Sequence, residues 1–268
     1  MDTDSNINPP AISARTLILD LMDTGAPPDF STRDLIHAGA AFGLEPSSIR
    51  TALTRLRQEG RVRALGRGRH TIGARAEPLQ QRILGWRSVC ERLCPWQGQW
   101  LLAIAGPQER ANRTQWRHTL HALTLEGFAE AETNVWARPA NLAGGAPAMR
   151  QRLLALDGAA SLLVVEADGL DADRAARYRR LWPVDDLVAD HDRRSRQLAE
   201  SGRRLASLPL TEAAATCLLE GREAIRAILR DPLLPSDLCP PDALAGLIAA
   251  MDDYDRKGKG IWRQYLKL

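Results

Sequence analysis

The stretch from residue 46 to residue 72 is rich in side chains that can bind nucleic acid. Residues 50–75 contain eight arginines and a single carboxylate, Glu59, within a chain whose net charge is only +3. Arginine binds phosphates and base edges through paired N–H groups, and hydroxyl side chains add further donors. This charge asymmetry predicts a polyanionic partner. The candidate DNA-contacting residues are Ser47, Ser48, Arg50, Thr51, Thr54, Arg55, Arg57, Arg67, Arg69 and His70.

Three predicted helices must position these side chains. The first spans residues 12–25, with Ser13 as its N-cap and Gly25 at its end. The second opens with Ser31–Asp34, which resembles a capping box with Asp in place of Glu. Gly43 suits a turn residue with positive φ. The third helix begins near Pro46, because proline is tolerated in a first turn, and it ends at Gly60.

The third helix has two chemically different faces. Its apolar residues Ile49, Ala52, Leu53 and Leu56 follow helical spacing and face a core, so the arginines and hydroxyls face away from it. Two short strands follow, joined by Gly66–Gly68. Three helices and a basic hairpin predict a winged helix-turn-helix, in which Arg50 and Thr51 contact bases and the hairpin residues lie beside phosphates or in a minor groove. The alternative is a solvated charged face.

The remaining chain predicts an α+β protein. A linker helix over 79–93 precedes four strands at about 100–105, 128–132, 135–138 and 161–167, with helices at 109–125 and 147–156. The order β-α-β-β-α-β is typical of a ferredoxin-like domain. Only helical patterns follow Asp171. The predicted domains are a winged helix (11–75), a linker helix (76–98), a ferredoxin-like domain (99–170) and a helical C-terminal domain (171–268).

Nearly the whole chain resembles the PaaX family, repressors of phenylacetate-degradation genes. The most specific string is LIHAGAAFGLEPSSIRTALTRLRQEG at 35–60, followed by GFAEAETNVWARPANL at 127–142. Shorter matching strings are SARTLILDLM (13–22), RGRHTIG (67–73), GQWLLAI (98–104) and DPLLPSDLCP (231–240).

The resemblance implies a winged-helix N-terminal domain, a central domain similar to the Cas2-like ferredoxin fold, and a helical domain for effector binding and dimerisation. It also implies a homodimer that binds a palindromic double-stranded DNA operator. The resemblance further implies that an aryl-CoA thioester, typically phenylacetyl-CoA, releases the repressor from its operator. The chain departs from the family pattern at Cys239–Gly246, where the family shows a Trp-Pro-Gly-like string. An aromatic CoA thioester other than phenylacetyl-CoA is therefore an alternative inducer.

Tryptophan is over-represented among the aromatic residues, with seven Trp against three Phe and three Tyr. Tryptophan offers a flat apolar face with an N–H at its edge, which suits an aromatic ligand. Trp100 and Trp136 are candidate walls of an effector pocket, and Arg138 is a candidate partner for a CoA phosphate or a carboxylate. The alternative is that these tryptophans belong to the core.

Patterns of catalytic and metal-binding residues are weak. The first predicted central strand ends at Ile104–Pro107 without the metal-binding Asp that the Cas2-like resemblance implies for a nuclease. His118 and His121 have a metal-compatible spacing, but the favoured interpretation is two surface histidines. We predict no enzymatic activity, no cofactor and no metal. The alternatives are an enzyme acting on nucleic acid or a CoA thioester through the central domain, or an adaptor that does not bind DNA.

The chain lacks the signals of export or membrane insertion. No apolar run approaches the roughly 18–20 residues that a membrane span needs. Met1–Pro10 contains no basic residue, so it resembles neither a secretory signal nor a transit peptide. These features predict a cytoplasmic protein with no membrane partner.

Overall fold

The protein is a mixed α and β chain with two antiparallel sheets, as seen in a computed structural model that describes residues 12–24 and 27–267. Its contacts divide it into two units. The first unit comprises the described residues up to Leu84, with Gln197–Glu223 and the residues from Ala250 onward. The second unit comprises Gly85–Arg196 and Ala224–Ala249.

Some sequence-based expectations lie outside the described residues. These are the absence of a signal in Met1–Pro10, the start of the first domain at residue 11, and Gly25 as the end of the first helix. The four predicted domain boundaries stay predictions. No helix in the described part of the chain is long and apolar enough to cross a membrane.

The first unit begins with three helices and a small sheet. Its elements up to Leu84 are α1 (Ala14–Asp23), β1 (Phe30–Ser31), α2 (Thr32–Ala40), α3 (Pro46–Gln58), β2 (Val62–Gly66), β3 (Arg69–Ile72) and α4 (Glu77–Leu84). The sheet order is β1-β3-β2, with both pairings antiparallel. The two-residue β1 was not predicted from sequence, because it is too short to show an alternating pattern.

Local capping signals explain where the first helices begin. The Ser13 hydroxyl accepts the backbone N–H of Thr16 at 3.1 Å, as expected of an N-cap. Ser31 and Asp34 form the predicted capping box, since the Ser31 hydroxyl accepts the Asp34 amide at 3.1 Å and the Asp34 carboxylate accepts the Ser31 amide at 2.9 Å. Gly43 has a φ of +66°, which confirms its predicted turn conformation.

The core of the first unit joins distant parts of the chain. Leu17, Ile18, Leu35, Ile49 and Leu56 from the first three helices are fully buried. They cluster with residues from two later segments of the chain, Ala214 and Leu218 in one and Tyr265 and Leu266 in the other. The Tyr265 hydroxyl also donates to the carbonyl of His37 at 3.1 Å.

The second unit contains a four-stranded sheet. Its elements are a 3₁₀ segment (Gly85–Arg92), β4 (Trp100–Ile104), α5 (Pro107–Ala111), α6 (Arg113–Leu125), β5 (Ala129–Glu132), β6 (Val135–Pro139), α7 (Gly145–Ala155), β7 (Leu163–Ala167) and α8 (Ala172–Tyr178). The strand order is β5-β6-β4-β7, and every pairing is antiparallel. The helices α9 (Val184–Arg204), α10 (Leu210–Arg230) and α11 (Asp242–Leu266) contribute residues to both units.

Two predicted helices are each divided in two. The predicted helix over 79–93 becomes α4 and the 3₁₀ segment, and the backbone is non-helical at Ser88 (φ −107°, ψ 16°). The predicted helix over 109–125 is interrupted at Asn112, whose extended backbone ends α5. The Asn112 side chain then caps α6 by accepting the amides of Thr114 and Gln115, each at 3.0 Å. An asparagine in a polar stretch favours this restart.

Candidate nucleic-acid interface

The helix α3 presents its polar face to solvent. Ile49, Leu53 and Leu56 are buried, and they place the opposite side of the helix outside. All seven of the predicted DNA-contacting residues on α3 are exposed: Ser47, Ser48, Arg50, Thr51, Thr54, Arg55 and Arg57. The helix periodicity therefore produces one continuous surface of arginines and hydroxyls.

The two ends of α3 are fixed by local backbone geometry. Pro46 occupies the first turn, and the Ser48 amide already donates to the Glu45 carbonyl at 2.9 Å. A phosphate at this end would therefore meet the Ser47 and Ser48 hydroxyls rather than the Ser48 amide. At the other end Gly60 has a φ of +68°, and its amide donates to the Arg57 carbonyl at 3.0 Å, which closes the helix in a Schellman-type turn.

A paired carboxylate ties the end of α3 to α1. Both guanidinium Nη atoms of Arg15 donate to the two oxygens of Glu59, at 2.7 and 2.6 Å. This bidentate contact holds the pKa of the Glu59 carboxyl below its usual range. The only acidic residue of the basic segment is therefore occupied, so it does not neutralise the exposed face of α3.

The β2–β3 hairpin turns through two residues with positive φ. Arg67 has a φ of +49° and Gly68 one of +74°, between the paired residues Gly66 and Arg69. Positive φ at both central positions is typical of a type I′ hairpin turn. This turn places the side chain of Arg67 at the exposed tip.

His70 differs from the other predicted contacts because its side chain points inward. It is 6% exposed, and its Nε2 lies 2.9 Å from the Thr32 hydroxyl. Burial lowers the pKa of His70. His70 and Ile72 lie two positions apart on β3, and strand alternation puts both on the inner face. The structure therefore places His70 where it supports the hairpin rather than where DNA could reach it.

Arg69 is exposed but already paired. Its guanidinium donates to the Asp29 carboxylate through Nε, and Nη2 lies 3.3 Å from the Asp29 carbonyl oxygen. In contrast, no ion pair within residues 12–24 and 27–267 involves Arg50, Arg55, Arg57 or Arg67. Those four guanidinium groups supply the positive charge that a phosphate backbone would meet.

The three predicted effector residues do not share one surface. Trp100 pairs with Pro139, Trp136 pairs with Ala103, and Arg138 pairs with Leu101 along β4 and β6. Because side chains alternate across a sheet, Trp136 and Arg138 lie on one face and Trp100 lies on the other. A single pocket lined by all three is therefore excluded by the strand register.

Arg138 is committed to buried hydrogen bonds. It is 1% exposed, and its guanidinium donates to the carbonyl oxygens of Pro139 (3.1 Å) and Glu126 and to the Asn141 side-chain oxygen (3.0 Å). Asn141 in turn donates to the Leu233 carbonyl at 2.8 Å. Burial lowers the pKa of Arg138 to about 9. These contacts leave it no path to a CoA phosphate.

Trp100 lies in an aromatic cluster that also contains Trp96, Tyr178 and Trp182. The edges of Trp96 and Tyr178 meet the Trp100 ring at centroid distances of 5.5 and 5.4 Å, and Trp182 lies nearly parallel to it at 6.4 Å. Arg179 lies over the Trp96 ring at 5.1 Å. Trp100 itself is buried, whereas Trp96 and Trp182 are only half-buried. Two indole rings of the cluster, those of Trp96 and Trp182, are therefore partly exposed to solvent.

The described residues contain no cluster of three or more His, Cys, Asp or Glu side chains able to hold a metal. His118 and His121 are exposed on α6. His191 is buried instead, with its Nε2 3.4 Å from the Asp231 carboxylate. Sequence reasoning missed this pair, although His191 lies seven residues before the buried Leu198 and so shares its helix face.

No protein-family model matches the chain, and no curated protein does either. Among solved structures, the chain is similar to the uncharacterized protein Rv0674 from Mycobacterium tuberculosis. The two share 24% sequence identity with a TM-score of 0.62, over 96% of this chain and 100% of that one. This likeness concerns the fold alone.

Proposed function

We propose that this chain is a DNA-binding transcriptional regulator of the PaaX type. The observation that carries the proposal is the exposed face of α3, which carries arginines and hydroxyls and no acidic residue within Pro46–Gln58, while Glu59 just after it is paired with Arg15. The succession of α1, α2, α3 and the β2–β3 hairpin supports a winged helix-turn-helix. The strand order β5-β6-β4-β7 supports a ferredoxin-like second unit of the Cas2-like kind.

In this proposal α3 enters the major groove. Arg50 and Thr51 lie near its N-terminal end, where recognition helices usually contact base edges. Thr54, Arg55 and Arg57 follow on the same exposed side and reach the backbone. A homodimer would place two such helices on successive turns of an inverted-repeat operator. The chain acts as a repressor that an aryl-CoA thioester releases.

The aromatic cluster around Trp100 is the best-supported place for the aryl group of that effector. Trp96 and Trp182 are the rings that a ligand can reach, while buried Trp100 fixes their positions. In the proposed mechanism the effector binds better to a conformation in which the two recognition helices do not match the operator, and DNA affinity falls.

Fluorescence anisotropy with a labelled duplex from the region upstream of the chain's own gene tests the DNA proposal. We expect Arg50→Ala, Arg55→Ala to lower affinity strongly. The control removes the same charge from the exposed arginines of α6, Arg113→Ala, Arg117→Ala. Unchanged binding by the α3 variant, or an equal loss in both variants, would show that α3 does not read DNA.

The effector proposal has its own test. Phenylacetyl-CoA and related aryl-CoA esters are titrated into the protein–DNA complex, with free CoA as the control. We expect release of DNA by an aryl-CoA ester, and weaker release from Trp182→Leu than from Trp116→Leu, which alters a half-buried tryptophan outside the cluster. Hydrolysis of the thioester by the purified protein would instead favour an enzyme.

A further inference from the structure

Residues 28–32, which lead into α2, are bound to the β2–β3 hairpin. The Thr71 hydroxyl donates to the Pro28 carbonyl at 2.8 Å, and the Thr32 amide donates to the Gly68 carbonyl at 3.0 Å. Between them, Phe30 and Ser31 pair with β3 as strand β1. The hairpin is therefore braced against residues 28–32 and does not stand alone.

Asp29 lies in the middle of this brace and faces Arg69. The carboxylate accepts from Nε of Arg69 and pairs with Nη2, so it occupies the edge of the guanidinium that would grip a phosphate through two parallel N–H groups. The pair lies at the surface, with 45% of the Arg69 side chain and 23% of the Asp29 side chain exposed. DNA approaching the hairpin therefore meets a neutral pair at this position.

We propose that Asp29 holds Arg69 in the role of positioning the hairpin, so that, of the two arginines at the hairpin turn, Arg67 is the one that binds a phosphate. A phosphate could take the Nε and Nη2 edge of Arg69 only by displacing Asp29, which would leave an unpaired carboxylate beside the negatively charged backbone. Arg67, one turn residue away, has no such competitor in the described structure. This inference rests on the proposed DNA binding and adds to it the division of labour between the two arginines.

The salt dependence of DNA binding separates the two roles. Each phosphate contact contributes a slope of about −0.9 to the plot of log affinity against log salt. We expect Arg67→Gln to make the slope shallower by about 0.9 per protomer, which corresponds to an affinity loss of about fivefold at physiological salt. Arg69→Gln should leave the slope unchanged, because Arg69 makes no phosphate contact that could be lost, although the Asp29 carboxylate that it exposes should weaken binding.

Substitution of Asp29 gives the reciprocal result. Asp29→Asn removes the competing charge, so we expect a slope steeper by up to about 0.9 per protomer and tighter binding to duplexes of any sequence. In the Asp29→Asn background, Arg69→Gln then restores the original slope. Asp29→Glu is the matched control, since it keeps the charge and should keep the slope of the parent protein.

A readout without DNA reports on positioning. Arg69→Gln loosens the brace, so we expect faster hydrogen exchange at the Thr32 amide, which donates to Gly68. Thermal unfolding of each variant shows whether it is folded, and Asp29→Ser serves as a second variant if Asp29→Asn is not.

The inference is overturned if Arg69→Gln flattens the slope as much as Arg67→Gln while Asp29→Asn leaves it unchanged. It is also overturned if none of these variants changes the slope, because neither Arg67 nor Arg69 then contacts a phosphate. Both outcomes leave the proposed function intact when the Arg50 and Arg55 substitutions still lower affinity strongly. Failure of the parent protein to bind any duplex removes the proposed function and this inference together.

Discussion

Replacing the buried Arg138 by methionine should destabilise the second unit. The change removes the donors for three acceptors, the carbonyl oxygens of Glu126 and Pro139 and the side-chain oxygen of Asn141. A buried polar group that loses its partner costs about 1–3 kcal/mol. Methionine carries no charge, so the variant no longer bears the cost of desolvating a guanidinium, and this offsets part of the total. We expect the free energy of unfolding to fall by about 3–5 kcal/mol.

Urea unfolding followed by tryptophan fluorescence measures this loss. Six of the seven tryptophans belong to the second unit, so the signal reports mainly on it. With a slope of about 2–3 kcal/mol per molar urea, the midpoint should fall by roughly 1–2 M. The control Arg117→Met alters an exposed arginine of α6 and should stay within about 0.5 kcal/mol. An Arg138→Met midpoint equal to that of the control would refute this reasoning.

Three further outcomes are expected. Gly127→Ala should lower the free energy of unfolding by more than about 1 kcal/mol in calorimetry. The reason is that Gly127 has a φ of +76° and an added Cβ would lie 2.6 Å from the Pro232 carbonyl oxygen. Gly98→Ala, where φ is +94° but the space around the Cβ is open, should cost less. Leu56→Ala should cost about 2–5 kcal/mol by circular dichroism, since Leu56 is fully buried. Burial raises the pKa of Asp23 to about 7. Its contribution to stability is therefore complete only at low pH and is lost as the pH rises through about 7. In urea titrations, the stability of Asp23→Asn relative to the parent protein should rise between about pH 4 and pH 8, by up to about 4 kcal/mol.

The features predictable from the sequence are those fixed within a few residues. The N-cap at Ser13, the capping box at Ser31 and Asp34, and the turn at Gly43 all depend on neighbours along the chain. The exposed face of α3 could be predicted for the same reason, because the spacing of Ile49, Leu53 and Leu56 alone determines it. The α+β class followed from these local patterns.

The features that could not be predicted depend on partners far apart in sequence. Arg69 meets Asp29 forty residues earlier, and Asn141 meets Leu233 ninety-two residues later. No short-range pattern encodes such contacts. The inward position of His70 could have been predicted, because it lies two residues before the buried Ile72 on β3 and alternate residues of a strand point to the same face.

The alternation of side chains along β4 and β6 also determines which of the predicted effector residues lie together. Trp100 and Trp136 were grouped because both are tryptophans of the central region. The pairing register separates them, since Trp100 is opposite Pro139 and Trp136 is opposite Ala103. That register depends on how β4 and β6 align, and the sequence of either strand alone does not specify it.

The shared core of the first unit limits how this protein can be dissected. A fragment ending at Leu84 would lack Ala214, Leu218, Tyr265 and Leu266, which cluster with the buried residues of α1, α2 and α3. Its freshly uncovered apolar surface would favour self-association in solution. A fragment that ends at Leu84 is therefore poorly suited to structural work on this chain, and tests of the proposed DNA binding call for the intact polypeptide.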